Sequence, residues 1–304
     1  MPRLHLGINN CFAVKRWPEP EQWLSIIKNE LGLDCCQFSL DLVDPMLDDD
    51  ALASYAAAVR ELAAMHDILL HSTFTGLAAY SWSLLLHPDE AMRKAAMRWY
   101  ERAIHFTLRL GAWGTGGHFG AFSVQDAADA ARRMTLGREL NAHLGSLSRY
   151  AAQAGLRFLL IENMAVEREP AYSIEEAQTL TRIEVPGGVP LVLCLDIGHP
   201  CALRTGTASD EYLTWFAQPW RHTPVIHLQQ TDRSGDHHWP FTQAYNSKGV
   251  IRAADVLKAL RQWPESEDVY LFLEPIHPFE QDDTSVLENL RESVLYWKEA
   301  MSAL

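Results

Sequence analysis

A single (β/α)8 barrel spanning residues 1–304 is the fold class the sequence predicts. Three observations predict it. Short apolar runs alternate with longer amphipathic stretches along the whole chain, the signature of repeated βα units on a parallel sheet. Eight such runs occur, the number that closes a barrel. The turn after the first run reads Gly7-Ile8-Asn9-Asn10-Cys11 and lacks the glycine-rich phosphate fingerprint usual after the first strand of an open doubly wound sheet.

The first run, Leu4–Asn9, and the second, Leu33–Leu40, have strand length and are too short for buried helices. The stretch Asp50–Met65 follows, with apolar residues at helical spacing and charges between them. Strand three covers Ile68–Phe74, and its polar end is read at Leu69-Leu70-His71-Ser72. A long helical pattern, Asp89–Leu110, leads to strand four, Trp113–His118, which closes on Gly116-Gly117-His118. The pattern Ala127–Ala154 separates it from strand five, Arg157–Asn163, ending Ile161-Glu162-Asn163. Strand six, Pro190–Asp196, runs into Asp196-Ile197-Gly198-His199, and strand seven, Val225–Gln229, carries His227. Strand eight, Val269–Glu274, lies between the helical patterns Ile251–Trp263 and Thr284–Leu304.

The composition is that of one globular unit, with 304 residues, 48% hydrophobic and 21% charged, and no low-complexity segment or linker. A formal net charge of −13 repels polyanions, so neither nucleic acid nor an acidic membrane is an expected partner. Five cysteines without regular spacing predict a reduced, cytoplasmic protein. The N-terminus lacks a signal-peptide pattern, and no apolar run approaches the roughly 20 residues of a membrane span. A homo-oligomer is compatible with this composition.

In a barrel of this kind chemistry sits at the C-terminal ends of the strands, so a polar residue that terminates an apolar run is a site candidate. By that rule His71, His118, Glu162, Asp196, His227 and Glu274 meet at one mouth. Carboxylates gathered there repel one another, and a divalent cation among them resolves the repulsion. His199, on the turn after Asp196, reads as a further ligand or substrate contact. In the polar segment after strand seven, Asp236-x-His238 puts two side chains on the same side of an extended backbone, a chelating pair. His66, His87, His105, His143 and His222 read as structural, and His277, close behind Glu274, is left open. No Gly-x-Ser-x-Gly elbow, phosphate-cradling Gly-x-x-x-x-Gly-Lys loop or paired Cys-x-x-Cys motif offers another chemistry.

On these residues the sequence resembles the xylose-isomerase-like TIM barrel superfamily, which holds ketose 3-epimerases, sugar isomerases, inosose dehydratases and endonuclease IV. The order Glu162, Asp196-x-x-His199, His227 and Glu274 is similar to the four-ligand metal site of the ketose 3-epimerases. The resemblance implies a metal-dependent isomerase or epimerase of a short sugar or sugar phosphate. It places a divalent Mn, Zn, Co or Mg ion on those four residues, with Glu162 and Glu274 as the catalytic pair that moves a proton through an enediolate. It also puts His199 and Arg233 on substrate oxygens. Lys248 joins Arg233 as a candidate for a substrate phosphate, and Trp239, with Trp113 and Phe241, as a wall against water. A further epimerase carboxylate falls on Arg168, flanked by Glu167 and Glu169.

Endonuclease IV is the alternative. His71, His118, Glu162, Asp196, His199, His227, Asp236, His238 and Glu274 resemble its nine ligands in type and order, which implies a multi-zinc phosphodiesterase and more than one ion. The segments His71–Gly76, Gly114–Gly120 and His238–Thr242 resemble the sugar isomerase/epimerase members and favour the first reading. A sugar-binding barrel without turnover is the third.

Overall fold

Each of the eight apolar runs is a strand in the computed structural model, which describes residues 2–220, 225–265 and 268–303. The strands are β1 Arg3–Asn9, β2 Cys35–Ser39, β3 Leu69–Phe74, β4 Gly114–Gly117, β5 Phe158–Glu162, β6 Leu191–Asp196, β7 Val225–Leu228 and β8 Asp268–Leu273. Each pairs in parallel with the next and β8 returns to β1, so the barrel is closed. The amphipathic stretches form the helices Asp49–Met65, Glu90–Leu110, Ala130–Ala154, Ala253–Leu260 and Asp283–Ser302. The pattern read as one helix over Ala127–Ala154 breaks at Asp129, whose carboxylate caps the longer piece by accepting from the N–H groups of Ala131 and Arg132. No helix among the described residues is long and apolar enough to cross a membrane.

The two-residue period of a strand divides the apolar side chains into two sets. Outward-facing residues such as Leu159, Ile161, Leu193 and Leu195 pack with the buried helix faces in one core. Inward-facing Leu160, Cys194, Val225 and Phe272 fill the barrel itself. Two residues further along each of these inward rows stand Glu162, Asp196, His227 and Glu274, all buried. The mouth is polar because each row stays apolar until its last position. Glycines let β4 close against β5: a Cβ at Gly116, where φ is +146°, would lie 2.1 Å from the Leu160 carbonyl oxygen.

β3 corrects one expectation. The strand runs on to Phe74, so His71 is a mid-strand residue rather than a terminator. Its ring packs among Tyr270 (4.2 Å between centroids), Trp113 (5.2 Å) and Phe158 (5.5 Å). Phe158 begins β5 and Glu162 ends it, a separation of roughly 13 Å at the usual strand rise. His71 therefore belongs to the barrel floor and cannot join the mouth cluster. Burial, then His5 and Arg157, pull its imidazole down to about 3. The mouth position on β3 belongs to Phe74, whose ring meets His227 edge-on at 4.6 Å. Trp113 shares the floor, beneath the Arg157 guanidinium at 4.4 Å.

Candidate metal centre

Glu162, Asp196, His227 and Glu274 each offer one ligand atom, and these atoms all lie within 4.8 Å of one another. Asp196 splits its carboxylate. Oδ1 accepts from the N–H of Gly198 (2.7 Å), the N–H of His199 (3.0 Å) and the Gln229 amide (3.0 Å). The buried Oδ2 has no hydrogen-bond partner. His227 Nδ1 lies 2.8 Å from Glu274 Oε2 and 3.4 Å from Glu162 Oε1, yet neither it nor Glu274 Oε2 has a partner in hydrogen-bond geometry. Orphaned buried polar atoms are rare in folded proteins. Three of them converging with a further carboxylate, all oxygen and imidazole donors, fit a hard or borderline divalent cation.

The two glutamates hold protons unequally. Burial raises Glu162 above the ordinary carboxyl range, and its imidazole neighbours offset this only in part. Burial acts on Glu274 in the same sense, but His227, His238 and His199 carry it below the ordinary value.

A second cluster, Asp196, His199 and His238, shares Asp196 with the first. His199 Nδ1 donates to the Asn163 carbonyl (2.6 Å) and His238 Nδ1 to the Glu274 carbonyl (3.1 Å). Each ring therefore turns Nε2 inward, and both Nε2 atoms lie 3.3 Å from Asp236 Oδ2. An imidazole anchored through one nitrogen to a carbonyl, with the other directed inward, has the usual dressing of a metal ligand. Burial opposes charge on His238, but Asp236 outweighs it and holds that ring up at about 10.

Glu162, Glu274, His199, Asp236 and His238 line one cavity that opens to solvent and spans about 450 Å3 with its open mouth included. His118 stands at this mouth as expected, buried, with neither ring nitrogen hydrogen-bonded, but it belongs to neither cluster. Burial pulls it down to about 4. The described lining includes carboxylates of Asp41, Glu162, Asp236 and Glu274, imidazoles of His118, His199 and His238, and no lysine or arginine.

Three residues read as substrate contacts do not line this cavity. Arg233 turns to Glu211 (2.6 Å) and the Asp210 carbonyl. Lys248 sits over the Trp239 ring at 4.0 Å, and Trp239 stacks on His237 at 4.1 Å. The loop after β7 thus satisfies its own cations by ion pairing and stacking, which outcompetes reaching into the mouth. Phe241 packs against Tyr296 and Trp297 in the core. His222 lies outside the described residues.

Sequence reasoning missed Asp41 and Tyr80 and left Glu169 unassigned. Arg168 is exposed, whereas Glu169 is buried with the Tyr80 hydroxyl 3.5 Å from its Oε2. Chain spacing carries no signal for that one-residue offset, because the loop turn decides which neighbour points inward. Burial raises Glu169 from 4.5 to about 7. The folded chain then binds more protons than the unfolded chain between those values, so this carboxyl destabilises the fold increasingly as pH rises from 4.5 through about 7. In chelator-treated protein Glu169→Gln is expected to raise the unfolding free energy above pH ~7 by roughly 1–3 kcal/mol and to change it little below pH ~4. Denaturant melts across that pH range check this.

The chain has full-length relatives. A D-erythrulose 1-phosphate 3-epimerase of Brucella abortus (strain 2308) is 26% identical over 302 residues, 97% of this chain and 95% of that protein. A crystal structure from Rhodospirillum rubrum, provisionally described as a xylose isomerase, superposes with a TM-score of 0.89 at 30% identity, covering 97% of this chain and 99% of that one. The D-psicose 3-epimerase of Clostridium cellulolyticum H10, at 13% identity and a TM-score of 0.69 over 98% and 99% of the two chains, shares the fold. Residues 28–276 match the profile of the xylose isomerase-like TIM barrel family, and the chain belongs to that family.

Proposed function

We propose that this chain is a divalent-metal-dependent 3-epimerase, or a closely related isomerase, of a short ketose or ketose phosphate, with all 304 residues in one domain. One observation carries the reading: two glutamates, at the ends of β5 and β8, contribute to a single cluster with Asp196 and His227 whose ligand atoms lie within 4.8 Å of one another. The Brucella relative, a D-erythrulose 1-phosphate 3-epimerase, supports the substrate class.

Glu162, Asp196, His227 and Glu274 would hold the cation, which when bound supplies Lewis acidity for negative charge developing on substrate oxygens. Glu162 and Glu274 approach the reacting carbon from opposing strands. One takes its proton and the other returns a proton to the opposite face, which inverts the centre. Phe74, Leu77, Met164 and Ile276 supply apolar wall that limits water at that carbon. His118, with both ring nitrogens unpartnered in the cavity wall, is the imidazole available to hydrogen-bond substrate oxygens, and His199 takes that role through Nε2 only where no second cation is bound.

Asp196, His199 and His238, whose ligand atoms lie within 4.8 Å of one another, support a second cation beside the first. The nine-ligand phosphodiesterase set, by contrast, lacks His71, which sits on the barrel floor. The test is incubation in D2O with tetruloses, pentuloses and hexuloses, each with and without a terminal phosphate. Deuterium entering at C3 with inversion is the expected result. No exchange with any member of the panel overturns the proposal, and three tightly held zinc ions per chain would favour the phosphodiesterase alternative instead.

A further inference from the structure

We propose that Asn9 and Gln37 are positioning residues, a relay of two amides that makes His227 present its Nδ1 lone pair, and not an N–H, to the four-residue cluster. The inference rests on reading that cluster as a cation site.

The argument starts at a backbone group whose polarity is fixed. The N–H of Cys11 can only donate, and it donates to Asn9 Oδ1 at 2.9 Å. Asn9 Nδ2 must then occupy the other side of its amide, where it donates to Gln37 Oε1 (2.9 Å) and Glu274 Oε1 (3.0 Å). The Gln37 atom facing Asn9 is therefore its oxygen, which leaves Gln37 Nε2 to donate to Ser72 Oγ at 3.2 Å. Turning the Gln37 amide over would set two donors against each other in a dry interior, a costly arrangement.

His227 Nε2 lies 2.6 Å from the same Gln37 Oε1. Since that oxygen can only accept, Nε2 carries a hydrogen, and in the neutral ring Nδ1 is the lone pair. Asn9, Gln37, Ser72 and His227 are all 0% exposed, so water does not compete for these bonds. The same relay occupies Glu274 Oε1 and leaves Oε2 for the cluster, so one pair of amides orients two of the four cluster residues. The far end explains His71: Ser72 Oγ accepts from Gln37, and its own hydrogen goes to His71 Nδ1 at 3.0 Å. A lone pair held near two carboxylates attracts nothing but a cation or a proton, which is the physical reason to fix this tautomer.

The experiment is calorimetric titration of chelator-stripped protein with Co2+. Gln37→Glu keeps an acceptor for both His227 and Asn9, and its Co2+ affinity is expected to stay within about threefold of the natural protein. Gln37→Leu removes the acceptor, and its affinity is expected to fall roughly 10–100-fold. An independent measurement is the 15N spectrum of histidine-labelled, Zn2+-loaded natural protein, in which the His227 proton is expected on Nε2. That spectrum decides alone should Gln37→Leu not fold. A proton on Nδ1, or a Gln37→Leu variant that binds Co2+ as tightly as the natural protein, overturns the relay. Failure of the natural protein to bind Co2+ instead sinks the cation reading, and the relay's purpose with it.

Discussion

Epimerisation is expected to fall by roughly a thousandfold or more when either Glu162 or Glu274 is replaced by glutamine, the upper part of the range for losing a positioned acid or base. The substitution keeps side-chain shape and one oxygen, and in Glu274→Gln that oxygen can still accept from Asn9. It removes the capacity to take a proton and weakens one cation ligand, so both variants are assayed at saturating divalent cation. The two variants should fail differently. With Glu162→Gln the remaining Glu274 still reaches one face of the carbon, so one epimer is expected to exchange its proton with D2O without inverting. Glu274→Gln is expected to show the same behaviour with the other epimer. Proton NMR of each epimer in D2O, combined with chiral analysis of the product, reads both effects. Inversion at near-natural rate in either variant, or exchange of both epimers in both variants, would remove the acid/base pair from the proposed function.

The fold was legible because strand and helix periods are written in apolar side chains, and a closed parallel barrel needs little else. The site was legible where an inward row ended in a charged residue: Glu162, Asp196, His227 and Glu274 are such ends, and they converge. His71 shows how the rule misleads. A polar residue inside an apolar run terminates it only if the strand stops there, and β3 continues to Phe74 because Ser72 and Thr73 find partners in Gln37 and Thr115. Applied to the first strand, the same rule selects Asn9, which the apolar reading passed over. Arg233, Lys248 and Trp239 were legible as residue types but not as contacts, since which way a loop side chain turns depends on partners such as Glu211 that spacing does not reveal. Glu169 illustrates the same limit from the other side, with burial conferred by a turn and by Tyr80, far away in the chain.

Asp196→Asn is expected to abolish cation binding while leaving the metal-free fold at least as stable, a combination that a merely structural role for Asp196 does not produce. Oδ1 of Asp196 accepts three hydrogen bonds, from Gly198, His199 and Gln229, and asparagine keeps them only by placing its own oxygen there. The amide nitrogen then falls where Oδ2 now stands without a partner. Two N–H groups directed at the cluster repel a cation. They also face the carboxylates of Glu162 and Glu274, whose ligand atoms lie within 4.8 Å and can move in to accept from them. Losing a residue that only orients a ligand costs about 10–100-fold in affinity, so replacing the ligand itself is expected to cost at least a hundredfold or so. Relief of a buried, unpartnered oxygen is worth roughly 1–3 kcal/mol, and the chelator-treated variant should gain part of that on unfolding in urea. Calorimetric titration with Mn2+ or Co2+ reads the first effect and the urea midpoint the second. A variant that binds the ion as tightly as the natural protein would take Asp196 out of the cluster. A metal-free variant that unfolds at lower urea would instead mean that Oδ2 has a stabilising partner, and the orphaned oxygen would no longer argue for a cation.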